Sequence, residues 1–411
     1  SIKLEESKKF YIERINFFGN YITEENVIRN SLLVDEGDAY NEILINKSVN
    51  EIKSRRLFKK VEKSVDNGSS SEFKIINITV EEQPTGEIFA GAGTGTSGSS
   101  LSFGIKENNY LGKGIKLKSG LTISEERVKG SITIDNPNFN NSDRTLSTTL
   151  ESSSTDNMSK FGYKSNKTGF KLGTTYEQFE DIYFSPAVST YYEDIETSST
   201  ASKAKRDQAG NYLESAFSYG FNLNKLNQNF HPTDGFTSGF SQTIPFISED
   251  YSLENTYMFS KYHSLENNAI LSMKFFIKSI NSMVGEDTRI TKRVFIPSRR
   301  LRGFEAGKIG PKDSGDFIGG NYGTALNLSS TVPAIFENSE SVDMSIFFDA
   351  ANLWGVDYDS NLNDSKIRSS SGVAIDWYTP IGPLSFSFTK PITKSDNDKE
   401  ETFRFQIGTT F

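Results

Sequence analysis

The stretch Phe403-Arg404-Phe405-Gln406-Ile407-Gly408-Thr409-Thr410-Phe411 closes the sequence, and apolar residues alternate with polar or small ones along it. Because the side chains of a strand point alternately to opposite faces, one face carries Phe403, Phe405, Ile407 and Phe411. A soluble domain would turn that apolar face toward a core. An apolar face that ends on a large aromatic residue is typical instead of a transmembrane β-barrel, whose outside meets lipid and whose lumen is polar. The stretch therefore predicts the last strand of such a barrel.

The amino-acid composition agrees with this prediction. Hydrophobic residues make up only 35% of the 411 residues, yet there are 32 Phe, 17 Tyr and 32 Gly. A soluble protein of this length needs more Leu, Ile and Val to fill its core, whereas about half of each barrel strand is polar. No run approaches the ~18 apolar residues of a membrane helix. Because only helices and closed barrels satisfy every backbone group in lipid, a membrane-spanning chain of this kind is expected to be a barrel.

Charge and motif content argue against several other classes of protein. The net charge is −8 and no Lys/Arg run forms a phosphate-binding stripe, so we expect no nucleic acid partner. The sequence has no cysteine, and its two histidines, His231 and His263, lie in no metal-binding motif. The glycine run 91–96 has Thr96 where the dinucleotide fingerprint needs its third glycine. We therefore expect no enzyme activity, no metal site and no cofactor.

Residues 10–83 differ in kind from the rest and are richer in Glu, Lys, Ile and Val. Thr23 and Asn41 are residue types that cap helix N-termini, and apolar residues follow each of them. Alternating stretches flank the hairpin signal Asp66-Asn67-Gly68, and Pro84 follows the second of them. The order is β-α-α-β-β. We predict one small α+β domain over residues 10–83.

Residues 86–411 consist of short alternating segments separated by turn signals. About 326 residues at roughly 20 per strand and connection give ~16 antiparallel strands, an even number as in bacterial barrels. A β-sandwich, or a pair of them, has the same period, so alternation alone leaves both folds open. The aromatic terminus, the abundance of Phe and the length of the alternating region favour the barrel. The predicted fold is mainly β: a ~16-stranded antiparallel transmembrane barrel after a small α+β domain.

One short motif resembles that of a known family. Leu301-Arg302-Gly303-Phe304 precedes a glycine-rich run and resembles the Arg-Gly-aromatic signature of the BamA family of outer-membrane β-barrel assembly insertases. The α+β segment, with Phe17-Phe18-Gly19-Asn20, resembles the POTRA domain that adjoins the barrel in that family. Further segments resemble the family's landmarks and occur in the same order: residues 108–114, 136–139, 309–312, 347–354 and 380–384. The resemblance thus spans almost the whole chain.

The resemblance implies a site inside the barrel. The loop that carries the motif would fold into the lumen, where Arg302 would pair with Asp349 on the wall, in two parallel hydrogen bonds if the geometry is favourable. Gly303 would allow close approach to the wall or a positive φ. Where the family has a second acidic partner, Ser329 or a neighbour stands here. The implied site residues are Leu301, Arg302, Gly303, Phe304 and Asp349.

The resemblance also implies a lateral seam between the first and last barrel strands. The first strand, near residues 87–96, is weakened by glycines; taken without the family, it is a flexible linker. An open strand edge is a template for another strand, so the implied mechanism is β-augmentation. The implied seam residues are Phe89, Gly91, Gly93 and Gly95 on the first strand and Phe403, Phe405, Ile407, Gly408 and Phe411 on the last.

The implied function is an insertase that folds and inserts outer-membrane β-barrel proteins without ATP or a cofactor. Its expected partners are unfolded outer-membrane β-barrel proteins, periplasm-facing assembly lipoproteins that bind the POTRA domain, and outer-membrane lipid. We expect it in the bacterial outer membrane with the POTRA domain in the periplasm. Since the polar start of the sequence is no signal peptide, we expect a mature or truncated chain. A TamA-like assembly factor and a two-partner secretion transporter, which passes an exoprotein through its pore, are the alternatives.

Overall fold

The computed structural model describes residues 9–96, 98–229, 231–266, 269–285, 287–332, 341–379 and 382–408. Phe411, which the family resemblance places in the seam, lies outside the described residues, as do Pro380 and Ile381 of the landmark at residues 380–384. In the described ranges, no helix has both the length and the apolar character needed to cross a membrane.

The N-terminal domain is a three-stranded sheet with two helices. In chain order its elements are β1 (Tyr11–Phe18), α1 (Glu25–Arg29), α2 (Glu42–Ser54), β2 (Phe58–Asn67) and β3 (Phe73–Glu82). β3 is the central strand, parallel to β1 and antiparallel to β2. Helices and strands share one buried core that includes Ile12, Ile45, Ile52, Ile76 and Ile78. The predicted β-α-α-β-β order is confirmed.

The two predicted helix caps have different outcomes. Asn41 caps α2, because its side-chain oxygen accepts hydrogen bonds from two backbone N–H groups of the first turn, at 3.0 and 3.2 Å. The prediction that Thr23 caps α1 is wrong: Glu24 takes the N-cap position and makes no side-chain capping bond. The Thr23 hydroxyl instead accepts a hydrogen bond from Asn109 Nδ2 at 2.9 Å. A tertiary contact has taken the place of the local one.

The rest of the described chain is a closed antiparallel barrel with its loops. In chain order the strands are β4 (Gly86–Gly95), β5 (Gly98–Tyr110), β6 (Ile115–Ser124), β7 (Arg127–Asn136), β8 (Thr145–Asn157), β9 (Tyr163–Phe179), β10 (Ile182–Phe184), β11 (Ala187–Thr197), β12 (Gly210–Asn224), β13 (Gly235–Ile247), β14 (Ser252–Ser264), β15 (Ile270–Ser282), β16 (Gly303–Phe304), β17 (Lys312–Asp313), β18 (Asp316–Phe317), β19 (Tyr322–Val332), β20 (Val342–Trp354), β21 (Arg368–Thr379), β22 (Gly382–Thr393), β23 (Glu400–Glu401) and β24 (Phe403–Gly408). The loops carry the short helices Met158–Phe161 and Lys203–Arg206 and the 3₁₀ turns Phe139–Asn141 and Ser360–Leu362.

The barrel wall has sixteen strand positions, as the sequence predicts. β10 and β11 share one position, because both pair with β9 on one side and with β12 on the other. The short strands β16, β17, β18 and β23 are not part of the wall and form separate two-stranded sheets. β24 pairs with β4 and closes the sheet on itself, so the fold is a barrel and not a β-sandwich.

Side chains alternate along the strands between an exposed, apolar outer face of the wall and a buried inner face. In β20, Ile346 and Phe348 are exposed, whereas Phe347 and Asp349 are buried. β5 repeats the pattern with exposed Leu101, Phe103 and Ile105. Exposed apolar side chains in register suit contact with lipid. The face of β20 that carries Phe347 and Asp349 therefore points into the lumen.

The N-terminal domain packs with the nearby ends of the first barrel strands. Residues 9–89 form one compact unit with 104–119 and 132–147, and the other described residues form a second unit. Within the first unit, the Arg55 guanidinium donates a hydrogen bond to Asn138 Oδ1 at 2.7 Å. The unit thus includes the turns that join β5 to β6 and β7 to β8.

Candidate functional site

The described residues 287–321, between β15 and β19, form a long segment that we call the lumen loop. Its apolar side chains pack on inward-facing residues of the wall. This buried cluster comprises Phe276, Ile280, Val294, Ile296, Leu301, Phe304, Ile309, Ala325, Ala351 and Leu353. Because Ala351 and Leu353 share the inner face of β20 with Asp349, the loop lies inside the barrel. Burial of apolar side chains thus holds a chain segment with little regular structure against the wall.

Arg302 of the lumen loop binds Asp349 of the wall through two parallel contacts. Nε lies 2.7 Å from Oδ2, and Nη2 lies 2.8 Å from Oδ1. The backbone N–H of Arg302 donates to Oδ2 at 3.1 Å, and Asn327 Nδ2 donates to Oδ1 at 2.8 Å. The guanidinium carbon lies 3.3 Å from the centroid of the Phe347 ring. The fully buried carboxylate therefore has the donors that a buried charge requires.

At the place where the family has a second acidic residue, Asn327, and not Ser329, contacts the Arg302–Asp349 pair. The Ser329 hydroxyl hydrogen-bonds that of Ser272 on β15 at 2.7 Å. Asn327 Nδ2 also donates to the backbone carbonyl of Arg300, at 2.9 Å. An amide therefore links the loop backbone to the Asp349 carboxylate without adding a second negative charge.

Gly303 lies where the loop backbone meets the wall. Its φ is +90°, and an added Cβ would lie 2.7 Å from Thr389 Cγ2 and 3.3 Å from Ser370 Cβ. The Ser370 hydroxyl donates to the carbonyl of Arg302 at 2.6 Å. Leu301 and Phe304 on either side are buried. Both backbone conformation and space at this position therefore favour glycine.

We expect Gly303→Ala to lower the melting temperature of the barrel more than Gly315→Ala. Gly315 is a matched control, because it lies in the same loop with the same φ of +90° but has nothing within 4 Å of an added Cβ. Both substitutions carry the left-handed backbone penalty of about 1–2 kcal/mol. Only Gly303→Ala adds overpacking, worth about 1–3 kcal/mol. Loss of folded mobility on semi-native gels measures the difference; equal shifts would contradict wall contact at Gly303.

The lumen loop also pairs with the segment before the last strand. Gly303–Phe304 forms a short antiparallel pair with Glu400–Glu401. The contact continues along the lumen loop, because Glu305 N donates to Lys399 O at 3.0 Å and Lys399 N donates to Lys308 O at 3.1 Å. The motif therefore contacts both the wall and the connection between β22 and β24.

A second buried ion pair anchors that connection to β21. Arg368 Nε lies 2.9 Å from Asp398 Oδ2, and Nη2 lies 3.1 Å from Oδ1. Both side chains are fully buried, and Asp364 also binds the guanidinium. Sequence reasoning missed this pair, because its members are thirty positions apart and lie in no motif.

A charged cluster fixes the beginning of the lumen loop. Buried Arg289 lies 3.4 Å from Glu193, 2.5 Å from Glu214 and 3.2 Å from Asp250. Lys292 Nζ lies 3.0 Å from Asp250 and also binds Glu214. Burial acts to raise the pKa of Asp250, but the charges of Lys292 and Arg289 outweigh it and hold that pKa below its usual value. Sequence reasoning missed this cluster too, because its members come from distant parts of the chain.

The seam between β24 and β4 has a short register. The described pairs are Gln406 with Gly95, Ile407 with Thr94, and Gly408 with Gly93. By contrast, β14 and β15 pair along thirteen residues each, from Ser252 opposite Ser282 to Ser264 opposite Ile270. Since backbone hydrogen bonds between strands scale with the paired length, the described part of the seam is held by far fewer of them.

Two glycines let the strands approach closely at the seam. Gly408 has a φ of +124°, and an added Cβ would overlap the carbonyl oxygen of Ala92. A Cβ on Gly95 would lie 2.5 Å from the carbonyl oxygen of Phe405. Side chains at either position would push the two strands apart.

The other seam residues implied by the resemblance lie around this short register. The rings of Phe403 and Phe405 stack with centroids 6.2 Å apart. Gly91 lies in β4, two residues before its paired part. Phe89 is placed elsewhere: its ring covers Gly104 of β5, where an added Cβ would overlap it.

A polar cavity of about 290 Å³ connects the motif with the seam. On one side the cavity is lined by Arg302 of the lumen loop and Asn327 of β19, and on the other by Arg404 and Gln406 of β24. Arg302 and the inner face of the last strand therefore line one space in the lumen.

Two family models match the chain. The Omp85 superfamily domain matches residues 109–411, and the POTRA model, described as a surface antigen variable number repeat, matches residues 10–83. The outer membrane protein assembly factor BamA of Neorickettsia risticii is 26% identical over 420 residues, 98% of this chain and 56% of that protein. BamA of Neisseria meningitidis serogroup B is 23% identical, over 100% of this chain and 58% of that protein. The chain thus spans little more than half the length of these relatives.

Solved structures share the fold. BamA from Haemophilus ducreyi lacking POTRA domains 1–3 superposes with a TM-score of 0.90 at 24% identity, covering 98% of this chain and 85% of that one. CdiB from Acinetobacter baumannii gives a TM-score of 0.61 at 9% identity, covering 98% of this chain and 74% of that one. At these identities the likeness concerns the fold alone.

Proposed function

Because the chain belongs to the Omp85 superfamily and carries a POTRA domain, we propose that it is an outer-membrane protein insertase. It folds and inserts other β-barrel proteins by pairing their strands with the edge of β4. The curated relatives named as outer membrane protein assembly factors support this class of activity. The barrel fold and the same relatives support its place in the outer membrane. The POTRA domain is proposed to lie in the periplasm.

The observation that carries the proposal is the short register between β24 and β4. Strands entering lipid must satisfy their backbone N–H and C=O groups, each of which costs several kcal/mol if left unpaired. Within the described residues, three pairs join β24 to the edge of β4, whereas thirteen join β14 to β15; each described pair that opens leaves backbone groups for an incoming strand to satisfy. The glycines of β4 further weaken that strand. An incoming strand can then replace the lost pairs by β-augmentation.

The lumen loop keeps the rest of the wall in place while the seam exchanges partners. Arg302 ties the loop to Asp349 in β20, and Gly303–Phe304 pairs with Glu400–Glu401 just before β24. The connection between β22 and β24 is thus held in place, while the other end of β24, near Gly408, is weakly paired. We propose this division of roles between lumen loop and seam as the reason for the Arg-Gly-Phe motif.

The partners follow from the same proposal. Unfolded outer-membrane β-barrel proteins are the clients, and outer-membrane lipid surrounds the wall. Periplasm-facing assembly lipoproteins bind the POTRA domain, in which β2 is an edge strand of the three-stranded sheet that the described residues form. Strand exchange needs no nucleotide or cofactor.

Disulfide capture of a stalled client tests the proposal. With Thr94→Cys in β4 and a single cysteine in the last strand of a client barrel, we expect a mixed disulfide during assembly. Leu328→Cys, on the outer face of β19, is the control and should capture little client. The chain has no native cysteine to interfere. Capture only at a lumen position such as Ser329→Cys would contradict the insertase and favour a transporter that passes an exoprotein through the pore.

A further inference from the structure

Three large side chains in two turns of the first compact unit are mostly exposed. Tyr21 is 94% exposed, Ile22 72% and Leu111 71%. Tyr21 and Ile22 lie in the turn between β1 and α1, and Leu111 lies in the turn between β5 and β6. Isolated exposed apolar residues are ordinary on protein surfaces, so their arrangement decides whether they form a site.

The two turns form one surface. Glu24 N donates a hydrogen bond to Gly112 O at 2.8 Å. An added Cβ on Gly112, whose φ is +72°, would overlap the carbonyl oxygen of Ile22. Ile22 and Leu111 also line the same cavity, of about 620 Å³. Ile22 and Leu111 therefore lie on one surface, and Tyr21 precedes Ile22 in the chain. We call these three residues the turn patch: Tyr21, Ile22 and Leu111.

The backbone at Leu111 is strained. Its φ of +58° lies in the left-handed region, which glycine and asparagine adopt more readily than leucine. Leu111 gains little burial in return, because most of its side chain is exposed. The turn's own hydrogen bonds, from Gly112 N to Asn109 O and from Lys113 N to Tyr110 O, hold this conformation. Residues held in such conformations are often functional.

The turn patch continues the lipid-facing surface of the barrel. Within the same unit, Ile88 of β4 and Ile105 of β5 are exposed on the outer face. Glu107 and Asn109, which share the outer parity of Ile105 in β5, line the cavity with Ile22 and Leu111. Tyrosine and leucine beside the end of a lipid-facing strand suit the membrane–water interface.

We propose that the turn patch inserts into the phospholipid leaflet on the side of the N-terminal domain. Tyr21 lies at the headgroup level, and Ile22 and Leu111 enter the acyl-chain boundary. The hydrogen bonds between the two turns transmit this anchorage to α1 and so fix the domain against the leaflet. The inference requires only that the barrel spans a membrane, and it is independent of strand exchange at the seam.

Environment-sensitive labels test the turn patch in the full chain. Single Ile22→Cys and Leu111→Cys variants are labelled with a nitrobenzoxadiazole dye and reconstituted into vesicles of phosphatidylethanolamine and phosphatidylglycerol. We expect blue-shifted emission from both labels and quenching by doxyl-labelled lipid. Ile43→Cys, on the outer face of α2 and 67% exposed, is the matched control and should show neither effect. Labels at 22 and 111 that behave like the control would overturn the proposal.

A second variant tests whether the residues act as one patch. Leu111→Asn removes the apolar side chain while keeping a residue type that tolerates a positive φ, so the turn is retained. In this background, quenching of the label at residue 22 should fall, with no change in the melting temperature of the barrel. Unchanged quenching would overturn the single patch. Shielding of the labels only after addition of a POTRA-binding protein would overturn lipid as the occupant.

Discussion

Replacing Asp349 with alanine is expected to lower the free energy of unfolding of the barrel by about 3–5 kcal/mol, the usual effect of removing one partner from a buried ion pair. The substitution leaves the Arg302 guanidinium without its carboxylate and removes the acceptor for Asn327 Nδ2 and for the backbone N–H of Arg302. Detachment of the lumen loop from the wall should follow. Denaturant unfolding in detergent measures the loss, and accessibility of a cysteine at Leu301 to a thiol reagent reports the detachment.

The double variant Arg302→Met/Asp349→Leu separates the unpaired charge from lost packing. Well-packed apolar residues can replace a buried ion pair at little cost, so the double variant should be more stable than Asp349→Ala alone. Arg302→Lys should remain destabilised, because an ammonium cannot reproduce the two parallel contacts. A double variant as unstable as Asp349→Ala would contradict the view that the unpaired guanidinium dominates the loss.

Much of the architecture could be predicted from the sequence, because it depends on local pattern. A period of two along each strand decides which face meets lipid, and the length of the alternating region led to sixteen strands. Asn41 was predictable as a cap because the groups it binds lie in its own helix turn. Thr23 was not, because its partner Asn109 is brought close only by the folded structure.

The candidate site divides in the same way. The resemblance to a family, and not physical reasoning from single residues, pointed to Arg302 and Asp349, which the structure brings together. The Arg368–Asp398 pair and the contacts of Arg289 carry no signal in local spacing. The register at the seam was also beyond prediction, because it depends on which residues of β4 and β24 lie opposite each other. Local pattern locates strands, whereas register and buried charge depend on tertiary packing.

The second large effect is expected from closing the seam with a disulfide. Thr94 and Ile407 lie directly opposite each other across β4 and β24, so cysteines at these positions are placed for a cross-strand bond. If clients pair with the edge of β4, the bond blocks that edge and stops assembly. Met273→Cys/Leu328→Cys, an opposite pair on β15 and β19, is the control that adds a disulfide away from the seam.

The most direct measurement is the rate at which a client barrel becomes folded in vesicles that contain the Thr94→Cys/Ile407→Cys variant, before and after oxidation. Strand exchange at the seam predicts that oxidation abolishes client folding, that reductant restores it, and that the Met273→Cys/Leu328→Cys control folds clients in both states. Client folding at an undiminished rate in the oxidised seam variant would contradict it.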